Sequence, residues 1–141
     1  MPSLNLADRT IKTQTPAFVM SIVNADSDSF FAKSRGGFGL AKKHIEQGAD
    51  IIDVGGESTR PGSRYIDAKE EIKRVIPVIK KIRSFSDIPI SVDTRKYDVM
   101  SAAFDAGADI LNDVSAMEDD PRLIKFCADK KIPAILCNIS P

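Results

Sequence analysis

Residues 50–62 read DIIDVGGESTRPG. The short apolar run DIIDV (50–54) stops at Gly55 and Gly56, then passes into Glu57, Ser58, Thr59, Arg60, Pro61 and Gly62. A continuous, β-branched run of this kind predicts a strand buried on both faces, the type found in parallel sheets. Its polar loop hangs from the C-terminal end, where parallel α/β folds place their ligands. The glycines let the backbone turn and let a ligand approach closely. Ser58, Thr59 and the forked guanidinium of Arg60 are donors suited to a phosphate or pyrophosphate. Composition alone explains the loop equally well as a solvent-facing turn.

The same kind of run recurs on both sides. FVMSIVN (18–24), IPISVD (88–93), DILNDV (109–114) and IPAILCN (132–138) are also nearly continuous apolar segments. Helical patterns separate them. In residues 67–83, Ile72, Val75, Ile76, Ile79 and Ile82 repeat at helical spacing. Asp67 is placed to cap this helix, with Glu70 as its capping-box partner, and Pro77 predicts a kink or a helix regular on one side only. Residues 96–106 form a second helix stopped by Gly107, with Thr94 as the expected cap, and Asp120-Pro121 announces another. The phrase QGADIIDV (47–54) returns as AGADILNDV (106–114), a helix-to-strand junction used twice.

Strand-helix alternation means a parallel sheet with right-handed crossovers. Five strands are expected, each but the last followed by a helix, in one domain over residues 1–141. Residues 4–13 predict an N-terminal hairpin turning at Ala7-Asp8-Arg9 and closing the bottom of the fold. A doubly wound sheet and a (β/α)8 TIM barrel both fit, and the missing GxGxxG after the first strand weakens a dinucleotide site. A whole barrel takes about 250 residues, so a chain of 141 is a piece of one, a short relative that dimerises, or an open sheet.

Composition narrows the function. Twenty basic and twenty acidic residues leave no net charge and no single-sign run, so nucleic acid and membrane surfaces are not expected partners. No apolar run approaches the ~20 residues of a membrane span, and the N-terminus lacks a leader's apolar core, which reads as cytoplasmic. Cys127 and Cys137 form no CxxC and are expected as two buried thiols. His44 is expected on a helix flank without a role. Polar residues gather after the strands: Asn24 with Asp26 and Asp28, then Asp93, then Asn112. In a barrel the last pair would suit a heterocycle presenting donors and acceptors, because a carboxylate accepts and an amide does both. A buried structural pair is the competing reading.

DIIDVGGESTRPG, PISVDTRK (89–96), ADILNDVSA (108–116) and the opening VMSIVNADSDSFF (19–31) resemble dihydropteroate synthase of the pterin-binding family. The resemblance implies the first five strands and four helices of a TIM barrel. It also implies condensation of p-aminobenzoate with dihydropterin pyrophosphate in folate biosynthesis. Asp93 and Asn112 match positions that bond the pterin. Asn24 matches one associated with Mg2+ and pyrophosphate. Thr59, Arg60 and Pro61, with Phe30, match the two loops around p-aminobenzoate. The chain departs from the family at Asp26 and Ser27, at Cys137 and at Asn138. It also lacks the lysine, arginine and histidine of later strands, so it is expected to be an N-terminal portion, inactive alone and prone to homodimerise. A non-catalytic, dimerising pterin- or partner-binding half barrel is the alternative; a pterin-dependent methyltransferase is a weaker one.

Overall fold

The computed structural model describes residues 1–25, 37–57 and 65–137. The expectations for Asp26, Asp28, Phe30, Thr59, Arg60, Pro61 and Asn138 fall outside these residues.

The hairpin forms as expected. Strands β1 (Ser3–Asn5) and β2 (Thr10–Lys12) pair antiparallel, and the Leu6 N–H bonds the Arg9 carbonyl at 2.7 Å to close the turn. The remaining strands, β3 (Met20–Asn24), β4 (Ile51–Gly55), β5 (Ile90–Asp93), β6 (Ile110–Asp113) and β7 (Ala134–Leu136), make one parallel sheet in sequence order. Between them run α1 (Phe38–Glu46), α2 (Ala68–Arg83), α3 (Tyr97–Ala106) and α4 (Arg122–Lys130). Strand order without reversal is the beginning of a barrel, because a doubly wound sheet reverses its order at a switch point.

Side chains alternate along each strand, so registered residues share a face. Val23, Val54, Val92 and Leu111 are fully buried against the helices, where Val75, Val78, Ile79 and Ile82 of α2 meet them in the main core. At the lower end of the other face, Leu6 of the hairpin packs with Ile51 and Ile110. Higher on that face, Ile22 is 62% exposed.

The twice-used Ala-Asp junction has a physical reason. Asp50 accepts the Val19 N–H at 2.7 Å, and Asp109 accepts the Ile90 N–H at 3.0 Å. Each aspartate returns its own N–H to the carbonyl of the same partner, at 2.8 Å in both cases. The junction thus aligns each new strand with its predecessor. Asp109 also takes Arg83 at 2.7 Å and Arg9 of the hairpin at 3.0 Å.

Several expectations need correction. Helix α2 runs unbroken through Pro77, which lies on its exposed side, where water can satisfy the carbonyl a turn earlier. Asp67 does cap α2 through the Glu70 N–H at 2.8 Å, but the Glu70 carboxylate meets Arg74 at 3.2 Å. Thr94 does not cap α3; the Tyr97 N–H is taken by Asp120 at 2.9 Å. Cys127 is buried but Cys137 is exposed.

Candidate functional site

The sheet register delivers the polar residues to one row. Asn24 pairs with Gly55, Gly55 with Asp93, Asp93 with Asn112, and Asn112 with Ile135. Asn24, Gly55 and Asp93 end their strands and Asn112 is one residue short of the end of β6, all on the face away from the helices. Asn24, Asp93 and Asn112, picked from sequence, therefore share one rim. Gly55 keeps the middle of the row open, since a Cβ there would stand 3.4 Å from the Asp93 Cβ. Gly56 serves a different end from the expected ligand approach. A Cβ at Gly56 would meet Val75 Cγ2 at 2.9 Å, so its smallness lets α2 pack.

One layer below lies a residue the sequence reading passed over. Asp53, 3% exposed, accepts from Ser91 Oγ at 2.5 Å and from Asn112 Nδ2 at 3.3 Å to each carboxylate oxygen. An aspartate in the middle of an apolar strand was the available signal. Burial pushes its carboxyl above the ordinary value, and Ser91 and Asn112 pull it back. Asp93 is pushed further, to about 7: burial acts first, then repulsion from Asp53, Glu71 and Asp113, while Arg95 opposes. The rim thus presents a carboxyl balanced between its two protonation states near neutrality, beside an amide. That pair can accept hydrogen bonds from the N–H groups of a planar heterocycle.

Glu57, just after β4, is held by charge. Glu57 holds both Arg95 and Lys96, the latter at 2.6 Å. Lys96 also reaches Glu71 at 3.2 Å and lies 4.5 Å from the Tyr65 ring centroid. Glu71 is 1% exposed and takes the Thr94 hydroxyl at 3.2 Å. Burial raises its carboxyl, and Lys96 draws it down. Burial would lower the Lys96 ammonium, but the two glutamates outweigh this and raise it. Asp113, fully buried, accepts the N–H groups of Ser115 at 2.8 Å and Met117 at 3.0 Å and so shapes the turn after β6.

A cavity of about 490 Å³ lies at the opposite end, by the hairpin. Its charged groups Arg9, Arg83 and Asp109 already bind one another, so it reads as structure. Among the described residues no three His, Cys, Asp or Glu side chains gather to hold a metal. Asn24, at the end of β3, brings an amide oxygen to this rim, the hard donor type a magnesium ion takes. No helix of the described residues is long and apolar enough to cross a membrane.

Residues 20–141 match the family model described as pterin binding enzyme. The dihydropteroate synthase of Clostridium beijerinckii is 41% identical over 142 residues, covering 95% of this chain and 49% of the relative. The solved Xanthomonas albilineans dihydropteroate synthase with 4-aminobenzoic acid superposes with a TM-score of 0.84 at 40% identity, covering 100% of this chain and 54% of that one. That of Vibrio fischeri gives 0.87 at 33% identity, covering 100% and 50%. The chain spans about half the length of the curated relatives it matches.

Proposed function

The chain belongs to the pterin-binding enzyme family, and from that premise we propose that it builds the pterin-reading wall of a dihydropteroate synthase. In that reaction the amine of p-aminobenzoate attacks the methylene carbon of dihydropterin pyrophosphate. A C–N bond forms, the C–O bond breaks, pyrophosphate leaves with the electron pair, and the amine loses a proton. Asp93 and Asn112 hold the pterin ring and fix the methylene relative to the attacking amine. Thr59, Arg60 and Pro61, with Phe30, shape the p-aminobenzoate end. Asn24 is our candidate for the protein's contact to a magnesium ion arriving with the pyrophosphate. Magnesium would offset charge on the leaving group.

One observation carries this reading. Asp93 and Asn112 are direct register partners at the strand tops, on the face that the helices leave open. Among the described residues the nearby cations Arg95 and Lys96 are engaged by Glu57, Glu71 and Asp119. Binding is proposed for the 141 residues, and turnover for a protein of the relatives' full length, of which this chain spans about half.

Pteroic acid titrated into 15N-labelled chain tests the assignment. Amide shifts concentrated at residues 91–94 and 111–114 support it; shifts confined to the hairpin end, around Arg9 and Asp109, contradict it.

A second reading concerns assembly. Edge strands β3 and β7 carry Ile22 at 62%, Ile135 at 37% and Leu136 at 51% exposure. Open apolar edges pair readily, which favours self-association and a non-catalytic pterin-binding dimer. Light scattering with and without pteroic acid separates the readings: a ligand-stabilised dimer supports this one, and a monomer at all concentrations opposes it.

A further inference from the structure

The role of Asn112 depends on which end of its amide faces the ligand, and Asp53 governs that choice. Asn112 Nδ2 stands 3.3 Å from both oxygens of the Asp53 carboxylate. Turning the amide over would set its carbonyl oxygen against the two Asp53 oxygens that now accept from Nδ2, replacing those bonds by acceptor facing acceptor. Asp53 is itself held: the Ser91 hydroxyl donates to Oδ1 at 2.5 Å, and Ser91 is fully buried. The Ser91 hydroxyl also lies 3.4 Å from the Met20 sulfur, but it has one proton, and an anionic acceptor wins it from a thioether. The three side chains come from successive strands β4, β5 and β6. Their spacing is fixed by the sheet ladder rather than by a loop.

The remaining end of the amide supplies the second observation. Asn112 Oδ1 is buried and has no hydrogen-bond partner among the described residues. A buried acceptor left unpaired costs about 1–3 kcal/mol, so a sheet this well satisfied elsewhere keeps one for a reason.

We propose that Asp53, locked by Ser91, is a positioning residue that fixes the Asn112 amide with its oxygen toward the ligand. The inference rests on the pterin-binding reading of the rim and makes it more specific. Asn112 then acts as an acceptor only, next to the carboxyl of Asp93. The ligand edge facing the pair must carry adjacent N–H donors, such as a ring N–H beside an exocyclic amine. A heterocycle presenting a carbonyl at that edge is rejected, because two acceptors would meet.

The test begins without ligand, in the 15N-labelled 141-residue chain. The Asn112 side-chain NH2 protons are expected to exchange with water at least about tenfold more slowly than those of an exposed asparagine. Ser91→Ala and Asp53→Asn should each speed that exchange while the melting transition stays cooperative. Ser91→Ala keeps the test alive if the Asp53 variant does not fold. Fast exchange in the wild-type chain overturns the inference, and so does slow exchange that neither variant alters. Pteroic acid titrations then supply a double-mutant cycle. Asp53→Asn should weaken binding about tenfold in the wild-type background and have little effect in Asn112→Ala. Equal losses in both backgrounds would mean a merely structural Asp53. If the wild-type chain takes up no pteroic acid while the Asn112 protons behave as expected, the pterin reading falls and the orientation stands.

Discussion

Asp93 and Asn112 face one another across β5 and β6 as register partners, and Asp93 titrates near 7, far above an ordinary carboxyl. Parallel pairing, rather than any local motif, puts a carboxyl and an amide side by side at the rim. Burial and the neighbouring Asp53, Glu71 and Asp113 then hold the carboxyl partly neutral.

That displacement makes the fold's stability depend on pH. The folded chain holds the Asp93 proton up to about 7, the unfolded chain only to its ordinary 3.8. The contribution from Asp93 is fully present below about pH 4 and is lost as pH rises toward 7. Asp120, lowered to about 2 mainly by Arg122, acts in a separate acid window, losing its contribution as pH falls through that value. Asp93→Asn should flatten the decline between pH 4 and 7, leaving what the raised carboxyls of Asp53 and Glu71 contribute, and raise stability at pH 8 by roughly 1–3 kcal/mol. Urea denaturation at a series of pH values checks this; a variant whose stability keeps the wild-type slope speaks against it.

Gly56 should not tolerate a side chain. A Cβ would lie 2.9 Å from Val75 Cγ2 and 3.3 Å from the Glu71 carbonyl oxygen. Gly56→Ala is expected to cost about 1–3 kcal/mol by forcing α2 off β4. Gly39, with nothing within 4 Å of its would-be Cβ, gives the control; Gly39→Ala should be neutral or mildly stabilising. Melting curves of the two variants decide the matter.

The two junction aspartates should differ in weight. Asp109 serves the Ile90 N–H, Arg83 and Arg9, whereas the contact shown for Asp50 is the Val19 N–H. Asp109→Ala is expected to lose about 2–4 kcal/mol, because it leaves the part-buried Arg83 guanidinium with carbonyl partners but without the Asp109 counter-charge, and the Ile90 N–H without its acceptor. Asp50→Ala should lose about 1 kcal/mol. Chemical denaturation of both variants would reveal equal losses if the arginine network were ornamental.

Much of the framework was legible because its signals are local. The hairpin announces its turn at Ala7-Asp8, and the strands are short apolar runs bounded by Gly and Pro. The repeated Ala-Asp phrase marked both junctions, though not what the aspartates bond. What stayed hidden depends on partners distant in sequence. Glu71 looks like an exposed helix residue until Thr94 and Lys96, from the connection between β5 and α3, close over it. Thr94 looked like a cap because nothing local shows Asp120 reaching the Tyr97 N–H from 23 residues away. Asp53 hid inside a strand whose apolar neighbours defined the reading. Of the rim, Asn24, Asp93 and Asn112 were found through polarity at strand ends and the family resemblance.

The most direct measurement is calorimetric titration of pteroic acid into the 141-residue chain and its Asp93→Asn variant, at pH 6 and pH 8. The account expects wild-type binding to strengthen as pH rises through about 7, because the ionised carboxyl is the better acceptor, and to release a proton on the acid side. The variant should bind at least about tenfold more weakly at pH 8 and show no pH dependence from this site. Binding of equal strength in both chains, with the same pH profile, would contradict the assignment of the strand-top rim as the pterin site.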